Sequence, residues 1–138
     1  MLVVSDDSDY AKIESTVRTT QRVYLAIALA QTSGSLAELV SRGIVYSFFQ
    51  ELIQAAIYLV LYFGLRYRMT EMIPLVLIVS MSHCVGIFVL GLRPAQSIRE
   101  LIIKIVALAF SYFFAYQVVF FRRADVRALF KDKGTLIY

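Results

Sequence analysis

The stretch Ala55-Ala-Ile-Tyr-Leu-Val-Leu-Tyr-Phe63 contains no charged residue and lies within a longer apolar segment, residues 44–65. A helix needs about 20 such residues to cross the hydrocarbon core of a bilayer. Three other segments of this chain have a similar length and composition. The sequence therefore predicts an all-α integral membrane protein in which four transmembrane helices form a bundle, at residues 23–41, 44–65, 72–92 and 98–121.

The composition of the whole chain agrees with a membrane protein. Of its 138 residues, 59% are hydrophobic and 17% are charged, whereas about 25% are charged in an ordinary soluble domain. So few charges could not cover the large exposed surface of a small soluble domain. We expect a single membrane domain over residues 1–138, with a cytoplasmic amphipathic segment at 1–22 and a basic cytoplasmic tail at 122–138.

The first predicted span is the weakest of the four, because Gln31-Thr-Ser-Gly-Ser35 interrupts it. If these residues form a loop, the chain crosses the bilayer only three times. Against that alternative, Ala26, Ala30 and Gly34 recur every four residues and form a small-residue stripe suited to close helix packing. Ala28-Leu-Ala30 also fits a signal-peptide cleavage site, but the leader before it is acidic, so we expect the span to be retained.

The orientation follows from the basic residues. With four spans, ten of the fourteen lysines and arginines fall on the side that holds both termini and the second loop. The positive-inside rule places that side in the cytoplasm, across the cell membrane. Basic residues at helix ends suit lipid headgroups better than nucleic acid. Those predicted to contact headgroups or a partner are Arg66, Arg68, Arg122, Arg123 and Arg127.

Each end of the chain carries a short amphipathic pattern. Apolar residues recur at helical spacing among charged ones, so we expect a short helix on the inner membrane surface, or docked to a partner, at each end. The residues that carry these two patterns are Tyr10, Ile13 and Val17 near the start, and Val126, Leu129 and Phe130 near the end.

Three ionisable residues lie inside the predicted spans, where an unpaired charge is costly. Glu51, His83 and Lys104 all fall about 9–14 Å below the outer edge, at 1.5 Å per residue. Gln50 and Gln54 lie beside Glu51 on one helix face. We expect a buried Glu51–Lys104 ion pair, completed by Gln54 and His83, that fixes helix register. The alternatives are a proton or ion path, contacts with another subunit, and a Lys104 side chain that extends to the surface.

No motif in the sequence indicates catalysis, a cofactor or a metal ion. Adjacent residues on a helix point about 100° apart, so His83 and Cys84 do not easily chelate one ion together. The remaining pattern is small residues at helix-packing spacing. This set comprises Ala26, Ala30, Gly34, Ser82, Gly86, Ala107, Ser111 and Ala115.

These observations favour a non-catalytic accessory or structural subunit of a larger membrane complex, packed through small-residue faces and in contact with lipid. Its partners would be other integral membrane subunits or copies of itself, and no nucleic acid. The alternative is a small oligomeric transporter or proton or ion channel that uses the Glu51, His83 and Lys104 cluster. An enzyme is the least favoured class, because no catalytic constellation is recognisable.

Overall fold

A computed structural model describes residues 7–133, and this part of the chain is helical and contains no strand. Four of its helices are long and apolar enough to cross a membrane. The expected all-α fold with four long apolar helices is thus confirmed, while insertion and orientation remain predictions. The helices are α1 (Asp7–Arg42), α2 (Tyr46–Arg66), α3 (Met72–Gly91), α4 (Ile98–Arg122) and α5 (Ala124–Lys133).

The described residues fall into two compact units. The first unit extends to Met69 and pairs α1 with α2. The second begins at Thr70, pairs α3 with α4, and includes α5 packed against α4. A short connection joins the two helices of each pair, so both pairs are antiparallel hairpins.

Helix α1 is longer than predicted and continuous. Its 36 residues cover about 54 Å, so the amphipathic segment expected as a separate N-terminal helix is the first part of α1. The polar stretch at residues 31–35 is helical as well. The hydroxyls of Thr32 and Ser33 bond to Ala28 O and Leu29 O within the same helix, at 2.8 and 2.9 Å. Because these bonds satisfy the hydroxyl groups within the helix, the polar residues do not interrupt α1.

An ion pair joins the C-terminal end of α2 to the N-terminal part of α1. Arg68 adopts a left-handed conformation with a φ of 55°, and the backbone N–H of Met69 donates to Gly64 O at 3.0 Å. The left-handed conformation lets the chain reverse direction after α2, and the hydrogen bond from Met69 satisfies a carbonyl group that the helix end would otherwise leave open. Arg68 then forms an ion pair with Glu14 at 2.5 Å. Both side chains are largely buried, so the pair fixes this end of the hairpin.

In the second unit, α4 begins at a well-formed cap and ends at a sharp corner. The Oγ of Ser97 accepts from the backbone N–H of Glu100 at 3.2 Å, and a Glu100 carboxylate oxygen accepts from the backbone N–H of Gln96 at 2.6 Å. Such reciprocal bonds satisfy donors that a helix start otherwise leaves open. At the other end, Arg123 is extended and separates α4 from α5.

Helix α5 packs through the apolar residues that the sequence pattern indicated. Val126, Leu129 and Phe130 are buried, and the Phe130 ring lies edge-on to Phe121 of α4 with a centroid distance of 6.0 Å. The predicted amphipathic helix at this end therefore exists, with its apolar face turned to the protein.

Candidate functional site, a polar seam between the first two helices

A row of polar residues runs along the interface of α1 and α2, and we call it the polar seam. Its members lie roughly one helical turn apart on each helix, so each α1 residue faces a partner on α2. Because the two helices are antiparallel, ascending numbers in α1 meet descending numbers in α2. The seam comprises Gln31, Gly34, Ser35 and Glu38 of α1 with Ser47, Glu51 and Gln54 of α2.

Hydrogen bonds cross the seam at three levels. Each joins a side chain to the facing helix, and two of them join side chains on both sides. Within an apolar environment such bonds favour one helix register, because sliding the helices would leave polar groups without partners. The three bonds are Gln31 Nε2 to Gln54 Oε1 at 2.6 Å, Ser35 Oγ to Phe48 O at 3.3 Å, and Ser47 Oγ to Glu38 Oε2 at 3.3 Å.

Glu51 lies at the middle of the seam and packs against Gly34. A Cβ atom at residue 34 would stand 2.7 Å from Glu51 Oε2, so the carboxyl group occupies space that glycine leaves open. This Oε2 is buried and has no hydrogen-bond partner among the side chains described, residues 9–131. None of the ion pairs formed by these residues includes Glu51. An unpaired carboxyl group in an apolar span is costly, which makes Glu51 the candidate functional residue of the seam.

Two tyrosines continue the α1–α2 interface beyond Gln31 and Gln54. Tyr24 and Tyr58 are fully buried, and their rings meet at a centroid distance of 5.6 Å. At the opposite end, Glu38 also pairs with Arg42 at 3.9 Å. The seam is therefore bounded by aromatic packing at one end and by a surface ion pair at the other.

His83 and Lys104, predicted to cluster with Glu51, both lie in the second unit. His83 Nδ1 donates to Val79 O at 2.8 Å, and its ring packs on Phe114 with centroids 5.0 Å apart. Lys104 lines a cavity of about 500 Å³ at the α3–α4 connection, together with Arg93. The grouping of these residues with Glu51, and the Glu51–Lys104 pair, stay predictions. Gln54 lies in the polar seam, whereas Gln50 is exposed.

The small residues predicted to pack helices have two different environments. Gly34 faces Glu51 within its hairpin, and Ser111 Oγ lies 3.6 Å from Cys84 Sγ across α3 and α4. Ala107 is partly buried. The others are exposed: Ala26, Ala30, Ser82, Gly86 and Ala115.

The five arginines predicted to contact headgroups or a partner also differ. Arg68 is buried in its ion pair with Glu14, and Arg123 is paired with Asp125 at 2.5 Å. Arg66 is exposed and donates to the Tyr62 hydroxyl at 3.1 Å. The remaining two, Arg122 and Arg127, are exposed.

Sequence reasoning identified the α2 side of the seam and missed most of the α1 side. Glu51 and Gln54 were recognisable as polar residues on one face of an apolar span. Gln31, Ser35 and Glu38 follow a spacing of three to four residues, which is itself the signal of a helix face. Buried Ser80 of α3 and Gln117 of α4 were also missed, although an isolated glutamine in an apolar helix is a comparable signal.

The seam offers a carboxyl group, amides and hydroxyls, and these groups can hold helices in register or carry a proton. Among the side chains of residues 9–131, no group of three His, Cys, Asp or Glu is arranged to hold a metal ion. A comparison with protein-family models, curated proteins and solved structures found no match.

Proposed function

We propose that this chain is a non-catalytic accessory subunit of a larger integral membrane complex in the cell membrane, with both termini in the cytoplasm. The observation that carries the proposal is the exposure of small residues on the outer faces of the apolar helices. Gly86 carries it best, because apart from the adjoining residues and backbone of its own helix no described atom lies within 4 Å of the place where its Cβ would stand. Ser82, one turn earlier, is exposed as well.

Small residues on an exposed face allow another helix to approach closely, and close approach gives the packing contacts that hold membrane helices together. Lipid tails gain nothing comparable from a glycine or a serine. In contrast, most polar side chains of the seam form hydrogen bonds within the α1–α2 hairpin. The balance of buried polar groups and exposed small residues therefore favours assembly with other membrane helices.

The test is purification of the tagged full chain from native membranes in mild detergent, followed by identification of the chains that migrate with it. We expect a defined, stoichiometric partner. Replacing Ser82 and Gly86 with leucine should release that partner, because the added side chains would keep its helix away. The matched control replaces Val85 and Val89 with leucine. These residues are exposed on α3 and lie four positions apart, as Ser82 and Gly86 do. A chain that migrates alone, or equal partner retention in both variants, contradicts the proposal.

The second candidate is a small oligomeric transporter or proton channel, and the position of Glu51 favours it. Its buried carboxyl oxygen has no hydrogen-bond partner in the described structure, and a protonatable group in an apolar span is characteristic of proton pathways. This candidate predicts that purified wild-type chain in liposomes carries protons down a pH gradient.

The carboxyl group of Glu38 provides the control for this second candidate, because it is also in the seam but accepts from Ser47 and pairs with Arg42. Glu51→Gln should abolish the proton flux, measured with an internal pH-sensitive dye, whereas Glu38→Gln should retain it. Absence of flux in the wild-type chain, or equal flux in the Glu51→Gln variant, eliminates the transporter.

A further inference from the structure

A groove of about 540 Å³ lies between the start of α3 and the exposed face of α5. Its lining combines two cations, one hydroxyl and an apolar wall. The polar residues are Thr70, Arg127 and Lys131, and the apolar residues are Ile73, Pro74 and Leu77. This combination of charge and hydrocarbon occurs within the second unit, outside the polar seam.

The two cations are available for a ligand. Arg127 and Lys131 are one helical turn apart on α5 and exposed, and neither takes part in an ion pair with the side chains of residues 9–131. By contrast, Arg123 at the start of the same segment is neutralised by Asp125. Two unpaired cations that share a face create a local site for an anion.

The position of these cations is fixed by packing. Val126, Leu129 and Phe130, on the other face of α5, are buried, and Phe130 packs on Phe121 of α4. The Arg123–Asp125 pair holds the corner between α4 and α5. The cations therefore face α3 as part of the folded unit.

The apolar wall specifies the kind of anion. A free inorganic anion would use the cations and leave Ile73 and Leu77 unused, whereas an amphiphile with an acidic headgroup would use both parts of the groove. The groove lies where α3 begins and α4 ends, which is the boundary between hydrocarbon and water in the proposed membrane placement. Phospholipid headgroups occupy this level, and basic residues there attract anionic lipids.

We propose that this groove binds an anionic phospholipid, with the phosphate group at Arg127 and Lys131 and an acyl chain along Ile73 and Leu77. The assignment rests on the proposed membrane placement and names the lipid site of the subunit. It does not require a partner chain, because every residue of the groove belongs to one unit of this protein.

The test uses the full chain, purified and reconstituted in phosphatidylcholine that contains a small fraction of phosphatidylglycerol. Native mass spectrometry of the released protein measures the lipids that remain bound. We expect the wild-type chain to retain phosphatidylglycerol in preference to phosphatidylcholine. In the double variant Arg127→Gln, Lys131→Gln, this preference should fall by about fivefold for each cation removed. The control, Arg93→Gln with Arg99→Gln, removes the same charge from exposed positions outside the groove and should keep the preference.

Two further arms establish whether the cations and the acyl chain both contribute to binding. The charge-conserving variant Arg127→Lys with Lys131→Arg should retain the preference, and circular dichroism verifies that each variant is folded. Inorganic phosphate added in excess should not displace the lipid. The proposal is overturned by equal retention of both lipids, by equal loss in the control variant, or by displacement with phosphate. A chain that keeps the lipid but has no partner contradicts only the accessory-subunit proposal.

Discussion

The carboxyl group of Glu51 fits against α1 because residue 34 has no side chain. A methyl group at that position would meet Glu51 Oε2 at 2.7 Å, so one of the two groups must move. Since a glutamate side chain is flexible, the cost depends on whether its carboxyl group can find another position in the seam. Gly34→Ala also brings a gain in helix propensity of up to about 1 kcal/mol. The coupling between the two positions is therefore more informative than either single change.

We predict that Gly34→Ala is less favourable in the wild-type chain than in a Glu51→Ala background, by about 0.5–2 kcal/mol. The reason is that Glu51→Ala removes the group that the new methyl would meet. The measurement is a double-mutant cycle of unfolding free energy in micelles. Gly86→Ala serves as the control, because no described atom beyond its own stretch of helix lies near its Cβ position, and it should show the same effect in both backgrounds. Additive effects of Gly34→Ala and Glu51→Ala would contradict the packing of Glu51 against Gly34.

The amide pair of Gln31 and Gln54 gives a second prediction at the residue level. Gln54→Leu breaks a 2.6 Å hydrogen bond and leaves the Gln31 amide without its partner. Hydrogen bonds between membrane helices contribute about 0.6 kcal/mol on average, with a maximum near 1.7 kcal/mol. We expect a loss of unfolding free energy in this range. Gln50→Leu, which changes an exposed glutamine on the same helix, should have no destabilising effect in the same micelle assay.

At the level of the helices, hydropathy predicted the four apolar segments of membrane length. It did not predict the start of α1, which begins at Asp7 and not at residue 23. Hydropathy reports where a chain can enter hydrocarbon, whereas a helix continues until its backbone is interrupted. No glycine or proline occurs between residues 7 and 33, so α1 runs through the change from polar to apolar sequence. The polar residues 31–35 likewise stay helical because Thr32 and Ser33 bond to their own helix.

The pairing of helices was less predictable than the helices themselves. The sequence pattern showed that Glu51 and Gln54 share a face of α2, but periodicity within one helix carries no information about the facing residue on another. The register depends on how Gly34 accommodates the Glu51 carboxyl group and on the facing amides of Gln31 and Gln54. These matches become visible only when α1 and α2 are placed side by side.

Helix α5 is expected to loosen at low pH. Hydrogen bonds from the Arg123 side chain hold the pKa of Asp125 below its ordinary value, assisted by the backbone N–H of Val126. A lowered pKa in the folded state means that Asp125 stabilises the corner above its ordinary pKa near 3.9. This stabilisation is lost as the pH falls through the lowered value.

Hydrogen exchange of residues 124–133, corrected for the intrinsic pH dependence of the exchange rate, measures this loosening. We expect constant protection from neutral pH down to about pH 4 and decreasing protection below it. Asp125→Asn should lower the protection at neutral pH and remove the acid dependence. Because Arg123 and Asp125 are both about half exposed, the effect should be small and should weaken in high salt. Unchanged acid dependence in Asp125→Asn would show that another group is responsible.

At the level of the whole molecule, the charge distribution is the feature that determines orientation. If α1 to α4 each cross the bilayer, the α2–α3 connection and α5 lie on one side, and the α1–α2 and α3–α4 connections lie on the other. In that arrangement, exposed Arg66, Arg122 and Arg127 would belong to the first side. The Arg68–Glu14 pair would be on this side too. Because Arg68 is largely buried, it would contribute less to the surface charge than the sequence alone indicates. The remaining excess of basic residues still predicts a cytoplasmic location for that side.

Single cysteines introduced into a Cys84→Ser background test this arrangement directly. Thr70→Cys reports on the α2–α3 connection and Ala95→Cys on the α3–α4 connection, and both positions are exposed. In intact cells, a membrane-impermeant maleimide should label Ala95→Cys and leave Thr70→Cys unlabelled until the membrane is permeabilised. The Cys84→Ser parent provides the unlabelled control. Labelling of Thr70→Cys alone would invert the orientation and place the lipid groove on the outer face, while labelling of both positions in intact cells would contradict the crossing of α3.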